Sequence, residues 1–435
     1  MEVITNRRVI TIALPIVLSN ATVPLLGAVN TAVIGRMGEA APLGAVGLGA
    51  VILASVYWIF GFLRMGTSGL AAQALGAGDL GERDAILLRG LGIGLIAGLA
   101  LVVLQAPLVA GAFRLSPASD EVERLASGYL AIRIWGAPAT IMLYAVTGWL
   151  IAQERTRAVL ALQLVMNGFN VVLDLWFVLG LGWGVPGVAT ATLIAEGSGL
   201  ALGLWLCRHG LTGAVRAGRA RLMAPGPWAR MVAVNGDIMI RSVLLQGSLT
   251  TFLFLGAGMG DVTLAANQVL LQFAEITAYA LDGFAFAAEA LVGQAVGARR
   301  PDRLNQAVGI SARWAAGGAC LMMLAYALGG GMIIDLMTTS PEVREAARAC
   351  LPWLVVFPLI GVASYMFDGI FIGATCTRLM RDTMIVSVAV YAVALLLLVP
   401  PFGNHGLWAS FLVLNATRAL TMWRLWPRIV ATARP

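Results

Sequence analysis

The chain has 435 residues, 59% of them hydrophobic and only 12% charged, with a formal net charge of +7. A soluble domain is about 25% charged, so a chain this apolar lacks the polar surface that water requires, whereas a bilayer removes that requirement. This composition excludes a disordered chain and gives no support to a nucleic-acid-binding protein.

Apolar runs long enough to cross a bilayer recur along the whole chain. A spanning helix needs about 20 mostly apolar residues, and the runs at 91–113, 314–334 and 383–404 contain no charged residue. These runs predict an all-α integral membrane protein. We expect twelve spanning helices, at 9–36, 43–75, 84–113, 122–153, 157–181, 186–208, 226–258, 261–297, 303–334, 342–374, 380–402 and 405–427.

The arginines predict how these helices are oriented. Arginine supplies all 29 of the residues counted as Lys+Arg, and most lie in segments that the twelve-helix prediction puts on the side of the N-terminus. The positive-inside rule then predicts that both termini are cytoplasmic. The longest basic stretch, 208–230, serves either as an orientation signal or as a contact for anionic lipid headgroups.

The chain resembles itself when its second half is aligned with its first at one fixed offset. At this offset 71–79 (AAQALGAGD) falls on 292–300 (VGQAVGARR), and 148–157 (GWLIAQERTR) falls on 369–378 (GIFIGATCTR). Such a period predicts two pseudo-symmetric six-helix lobes, 1–215 and 216–435. Because six is even, both lobes insert in the same sense, as in transporters with parallel repeats, whose substrate cavity lies near the middle of the membrane.

No pattern typical of an enzyme or a metal site occurs in the sequence. The four cysteines have no CxxC or other metal-binding spacing, and the two histidines lie at predicted helix ends; the residues are Cys207, Cys320, Cys350, Cys376, His209 and His405. We therefore expect no enzymatic activity, no metal and no cofactor.

Ionisable side chains inside predicted spans are costly, and each suggests a functional role. The set is Arg64, Arg133, Asp174, Glu196, Asp237, Arg241, Glu275, Asp282, Glu289, Arg313, Asp368 and Arg418. We discount Arg133, Arg313 and Arg418, because long side chains near helix ends can reach water. Arg64 is expected to pair with a carboxylate of a neighbouring helix.

The helix at 261–297 carries three carboxylates at a regular seven-residue spacing, Glu275, Asp282 and Glu289. This spacing is nearly two turns, so the three share one face, which must meet protein or water rather than lipid. They form either a proton or cation pathway or a set of buried structural bonds. On the preceding helix, Asp237 and Arg241 lie one turn apart, a spacing that favours an intrahelical ion pair.

The helix at 157–181 combines two amides with a carboxylate. Asn167, Asn170 and Asp174 follow an i, i+3, i+7 spacing and share one face, while the first helix adds Asn20 and Asn30. An amide-rich site around one carboxylate suits exchange of a proton or a sodium ion. Amide bonding between helices is the alternative interpretation.

Five segments together resemble one known family. They are VPLLGAVNTAVIGRMG (23–38), FGFLRMGTSGLAAQALGAGD (60–79), NGFNVVLDLWFVLGLGWGVPGVA (167–189), YALDGFAFAAEALVGQAVGAR (279–299) and FDGIFIGATCTRLMRDTM (367–384). They resemble the DinF branch of the multidrug and toxic compound extrusion (MATE) transporters. The resemblance implies a two-lobed fold of twelve helices and efflux of lipophilic, often cationic compounds by antiport. Protons are the expected coupling ion, and sodium is the alternative.

The resemblance also implies a cation or proton site in the N-terminal lobe. Asp174 matches one family aspartate, with Asn170 beside it, and we include Asn167 and Asn30 in the site. The family's second aspartate lies in a V-D-T motif, where this sequence has Val29-Asn30-Thr31. Asparagine has the shape of a protonated carboxyl but cannot titrate. A natural replacement and an engineered one both remain open.

Seven further residues are candidates for the substrate cavity or for a polar site in the second lobe: Asp282, Glu289, Glu275, Asp237, Arg241, Asp368 and Arg64. Of these, Asp282 and Glu289 match the pattern of the DinF branch. The expected protein is a monomeric, multi-pass protein of the bacterial inner membrane that contacts lipid and lipophilic cations. A flippase of a lipid-linked precursor, from the same superfamily, is the alternative function.

Overall fold

The computed structural model describes residues 3–35, 40–115 and 119–434, which form helices joined by short turns. The helices are α1 (Asn6–Gly35), α2 (Ala40–Ile59), α3 (Phe62–Gly76), α4 (Leu80–Val103), α5 (Gln105–Leu115), α6 (Asp120–Arg133), α7 (Ala137–Ala152), α8 (Thr156–Asp174), α9 (Gly184–Leu206), α10 (Arg208–Ala217), α11 (Arg219–Leu222), α12 (Pro225–Ala257), α13 (Asp261–Gly297), α14 (Pro301–Met337), α15 (Pro341–Gly373), α16 (Thr377–Arg424) and α17 (Trp426–Thr432). A 3₁₀ turn, Ile134–Gly136, joins α6 to α7, and a π-helical turn, Leu175–Gly180, follows α8.

Ten helical stretches in the described part of the chain are long and apolar enough to cross a membrane. By these two criteria, the described residues contain fewer membrane-spanning helices than the predicted twelve. Predicted helix 9–36 corresponds to α1, which is not among the ten, and position 36 lies outside the described residues. The last two predicted helices form the single α16, which has a break at Gly403 (φ 54°, ψ −128°) after Pro400 and Pro401.

The repeat found in the sequence is also a repeat of backbone conformation. Left-handed residues recur at the same offset, in the pairs Gly78 and Arg299, Glu154 and Thr375, and Gly182 and Gly403. Helix starts follow it too, because Ser119 caps α6 and Ser340 caps α15. Gly403 thus occupies the position that separates α8 from α9 in the first repeat, which explains why α16 reads as two helices in the sequence.

A close helix crossing that depends on glycine recurs in both repeats. A Cβ atom at Gly148 of α7 would lie 2.3 Å from the Arg64 carbonyl oxygen, and one at Gly369 of α15 would lie 2.2 Å from the Ala285 carbonyl oxygen. The two crossings occupy equivalent positions of the two repeats. Small residues allow such close backbone approach where the hydrophobic effect cannot hold helices together in lipid.

We expect Gly369→Ala to lower the free energy of unfolding by about 1–3 kcal/mol, because the new methyl group forces α15 away from α13. Thermal unfolding in detergent, followed by tryptophan fluorescence, measures the change. Gly317→Ala in α14 is the matched control, since a Cβ there meets nothing within 4 Å. Equal melting temperatures for the two variants would contradict the proposed tight crossing.

The chain forms two compact units. The N-terminal unit comprises Leu18–Leu75 and Asp79–Met231, and the C-terminal unit comprises the residues up to Val17, Gly76–Gly78 and Val232 onward. The N-terminal unit has a core around Tyr57, Tyr129 and Leu130. In the C-terminal unit, Phe252, Phe273, Phe357 and Trp408 belong to the core.

Candidate functional site

Asp174 lies at a change of helix type. It is the last residue of α8, is fully buried at 0% exposure, and precedes the π-helical turn Leu175–Gly180. π-Helical turns are rare and occur frequently at functional sites, since they interrupt the regular α-helical hydrogen bonds. The backbone therefore departs from regular helix next to the one carboxylate that the sequence places on this helix face.

Asn30 of α1 contacts this carboxylate directly. One end of its side-chain amide lies 2.9 Å from Asp174 Oδ2 and 3.2 Å from the Leu26 carbonyl oxygen. Because both neighbours are acceptors, this end is the nitrogen, and it donates to them. The other end, which is then the oxygen, lies 3.4 Å from Asn170 Oδ1, a contact between two acceptors and not a hydrogen bond. Asn30 thus lies where the sequence predicted it, against Asp174 and beside Asn170.

Amides and hydroxyls of three helices complete the polar site. The Asn170 amide donates to Thr192 Oγ1 at 3.0 Å on α9, and the Thr192 hydroxyl donates to the Val188 carbonyl oxygen at 3.0 Å. One turn earlier on α8, the Asn167 amide donates to Thr22 Oγ1 of α1 at 2.9 Å. The three polar residues of α8 share a face as predicted, and both asparagines link α8 to a neighbouring helix.

Asp174 retains one unsatisfied oxygen. Its Oδ1 atom is buried and has no hydrogen-bond partner among the described residues. A buried polar atom without a partner is unfavourable, and it is more so when it carries part of a negative charge. A proton or a small cation at Oδ1 would relieve that cost. The described site therefore holds one carboxylate, surrounded by neutral polar groups, that is suited to binding a single positive charge.

A buried ion pair lies in the same unit. Arg133 of α6 donates to Glu196 of α9 through two bonds, Nη1 to Oε2 at 2.6 Å and Nη2 to Oε1 at 2.9 Å. Arg133 is only 7% exposed, so our expectation that its side chain reaches water is wrong. The sequence identified Glu196 as an intramembrane carboxylate but contained nothing that paired it with Arg133.

In the C-terminal unit, Asp368 of α15 accepts from two arginines. Arg241 of α12 and Arg418 of α16 both donate to its Oδ2 atom, the second at 2.6 Å. Arg418 is 3% exposed, so the expectation that it reaches water is also wrong. Its partner Asn415, one turn earlier on α16, accepts from Arg418 Nη1 at 3.2 Å.

The predicted intrahelical pair between Asp237 and Arg241 does not form. Asp237 instead accepts from Arg381 at 2.6 Å and from the Thr377 hydroxyl at 3.2 Å, both on α16. Arg241 instead forms an ion pair with Asp368. Neighbouring helices offer each buried charge a partner across the helix interface, and residues one turn apart on a helix pair only when their side chains point toward each other.

The remaining candidates differ in their surroundings. Along α13, Glu275 is exposed, Asp282 is partly buried and Glu289 is fully buried at 0% exposure. Arg64 is partly buried on α3, at the crossing with Gly148. The regular spacing therefore aligns three carboxylates whose environments are not alike. No group of three or more His, Cys, Asp or Glu side chains among the described residues is placed to hold a metal ion.

We expect Asp368→Asn to lower the free energy of unfolding by about 3–5 kcal/mol, because it leaves two buried guanidinium groups without a countercharge. Denaturant or thermal unfolding of the detergent-solubilised protein measures this. The control is Asp335→Asn, which removes an exposed carboxylate that pairs with Arg348 at 2.6 Å and is expected to cost less than about 1 kcal/mol. Equal stability of the two variants would show that the Asp368 cluster is not a structural one.

Comparison with known proteins gives one consistent result. The sequence model of the MatE family matches residues 15–176 and 238–398, one match in each repeat. DNA damage-inducible protein F of Escherichia coli is 40% identical over 422 residues, which cover 96% of this chain and 91% of that protein. A probable multidrug resistance protein NorM of Synechocystis is 27% identical over 318 residues, 70% of this chain and 67% of that protein. The crystal structure of a MATE protein in a bent conformation superimposes with a TM-score of 0.89 at 19% identity, over 98% of this chain and 95% of the other.

Proposed function

Since this chain belongs to the MatE family of membrane transporters, we propose that it exports lipophilic, mostly cationic compounds in exchange for a coupling ion. The resemblance to the DinF branch and the all-α membrane fold, both predicted from the sequence, are confirmed by these matches. The proposal goes further by naming a proton as the coupling ion and Asp174 as the residue that carries it.

The observation that supports this proposal is the unsatisfied oxygen of Asp174. Its carboxylate is fully buried, accepts one bond from Asn30, and keeps Oδ1 without a partner among the described residues. A buried carboxylate is stabilised when it binds a proton. When a cationic substrate approaches, its charge stabilises the ionised carboxylate instead, and the proton is released. Exchange of this kind couples export of the substrate to entry of the proton.

The charge balance around Asp174 favours cationic substrates. Arg133 and Glu196 neutralise each other, so the charge of Asp174 remains for a substrate to compensate. In the C-terminal unit Asp368 pairs with two arginines, Arg241 and Arg418, so these three groups together carry one net positive charge. We therefore propose that a cation binds in the N-terminal unit rather than at the Asp368 cluster.

Asn30 limits the number of protons that this site can carry. Among Asn30, Asn167, Asn170, Thr192 and Asp174, only the last has a carboxyl group. At most one proton is therefore exchanged within this group, and coupling is expected to be weaker than in a site with an aspartate at both positions. Sodium remains the alternative coupling ion, because amide and hydroxyl oxygens can also bind it.

The setting of the proposed activity follows from the family and the arginine distribution. We propose a monomer in a bacterial inner membrane, with both termini cytoplasmic, surrounded by lipid and requiring no cofactor besides the coupling ion. A lipid-precursor flippase has less support, since the NorM relative is named for multidrug resistance and the charge at Asp174 is unsuited to an anionic headgroup.

Transport in proteoliposomes tests the proposal. Purified protein is reconstituted into vesicles containing a fluorescent lipophilic cation such as ethidium, and a pH gradient or a sodium gradient is imposed in separate experiments. We expect the pH gradient to drive movement of the dye and the sodium gradient to have little effect. Absence of gradient-dependent transport, both in this chain and in its Asn30→Asp variant, would contradict the antiporter function.

A further inference from the structure

The polar site around Asp174 is connected to the ion pair formed by Arg133 and Glu196 through one helix. Glu196 and Thr192 lie one turn apart on α9 and so share a face. Thr192 Oγ1 accepts the amide of Asn170 at 3.0 Å, and Asn170 lies next to Asn30 and Asp174. This hydrogen bond therefore links the Asn170 amide to α9.

The ion pair joins α9 to α6. Both oxygens of Glu196 bind the Arg133 guanidinium, an arrangement with little rotational freedom. Glu196 also packs on the turn after α6, where a Cβ at Gly136 would lie 2.3 Å from Glu196 Oε2. The Tyr57 hydroxyl of α2 donates to the Arg133 carbonyl oxygen at 3.5 Å, at the end of α6.

The second repeat has other residues at the positions equivalent to Arg133 and Glu196. At the offset that relates the two repeats, Arg133 corresponds to Leu354, which is fully buried, and Glu196 corresponds to Thr417. A buried apolar residue thus takes the place of the arginine in the second repeat. Asp174 and Asn170 likewise correspond to Leu395 and Tyr391. The ion pair and the polar site occur together in one repeat and are both replaced in the other.

A buried ion pair is a weak source of stability, because the cost of removing two charges from water offsets their attraction. The second repeat indicates that an apolar residue at the arginine position is compatible with the fold. We infer that Arg133 and Glu196 are positioning residues for the proton site, which hold α9 so that Thr192 orients Asn170 beside Asp174. This inference rests on the proposed function and assigns two further residues to it.

Several titratable groups lie near this ion pair. They are Tyr57 of α2, Tyr129 of α6, Tyr144 of α7 and Asp174 of α8. Replacing both residues of the pair leaves the net charge of this region unchanged, because their charges are opposite. A change in the proton equilibrium of Asp174 should then follow from the position of its neighbours.

The decisive variant is Arg133→Leu combined with Glu196→Thr, which installs the residues found at the equivalent positions of the second repeat. Its readout is the pH midpoint of the Asp174 carboxyl signal in infrared difference spectra of the purified protein, assigned by its disappearance in Asp174→Asn. We expect a folded protein whose midpoint is displaced by about one pH unit or more. We also expect at least a tenfold loss of proton-driven dye transport.

The control is Arg348→Leu combined with Asp335→Thr, an exposed pair of the C-terminal unit, which should leave the midpoint unchanged. If the Arg133 double variant does not fold, Glu196→Asp shortens the side chain, keeps its charge and should still displace the midpoint. A folded variant with the midpoint of the parent protein would overturn the inference. Because the infrared signal needs no gradient and no substrate, failure of the parent protein to transport would count against the proposed function alone.

Discussion

Asp174→Asn is expected to reduce gradient-driven transport to the level of protein-free vesicles while leaving the folded yield intact. Asparagine keeps the shape of the side chain and can still bond to Asn30 at this position. It cannot bind or release a proton, so the only carboxyl group of the described polar site is lost. The measurement is dye transport in proteoliposomes under an imposed pH gradient, normalised to the amount of inserted protein.

A remote carboxylate provides the control for this substitution. Asp335→Asn makes the same chemical change at a side chain that is 37% exposed in the C-terminal unit, and transport should persist. Proton-driven efflux by the Asp174→Asn protein at a rate comparable with this control would refute the role assigned to Asp174. Loss of activity in both proteins would indicate a general effect of the mutations on reconstitution.

Asn30→Asp is expected to strengthen coupling. The new carboxylate would lie at about the 2.9 Å that separates Asn30 from Asp174 Oδ2, so the two groups would share protons and titrate in two coupled steps. We expect one additional proton per transport cycle and a steeper dependence of transport on pH. Dye flux and proton flux recorded together in proteoliposomes give the stoichiometry.

Asn404→Asp is the matched control for that gain. It makes the same change at a partly buried amide of the C-terminal unit, where the side chain bonds to Asn267. It should leave the proton stoichiometry unchanged. A stoichiometry in Asn30→Asp that equals that of the parent protein would argue against direct proton sharing between positions 30 and 174.

The sequence predicted the features that depend on local spacing. Apolar runs predicted the helices, and the shared face of Asn167, Asn170 and Asp174 follows from helical periodicity alone. The internal repeat, found from short sequence matches, recurs in the left-handed backbone at Glu154 and Thr375. Asn30 was placed beside Asp174 by resemblance to the family rather than by any periodicity.

Partners that meet across helices could not be predicted in the same way. Nothing in the sequence links Arg133 to Glu196, or Asp237 to Arg381, since each pair is brought together only by the packing of separate helices. The ion pair predicted from the spacing of Asp237 and Arg241 was wrong, because partners on other helices compete with the nearby residue on the same helix. Thr192 carried no signal of its own, and the Asn170 hydrogen bond alone reveals it.

Proton release on substrate binding tests the role of Asp174 most directly. Purified protein in weakly buffered detergent solution is mixed with a lipophilic cation, and a pH indicator reports the protons released per molecule. Exchange at Asp174 predicts release of at most about one proton, which falls as the starting pH rises and disappears in Asp174→Asn. Undiminished release from Asp174→Asn would place the exchanging proton elsewhere and contradict the proposed mechanism.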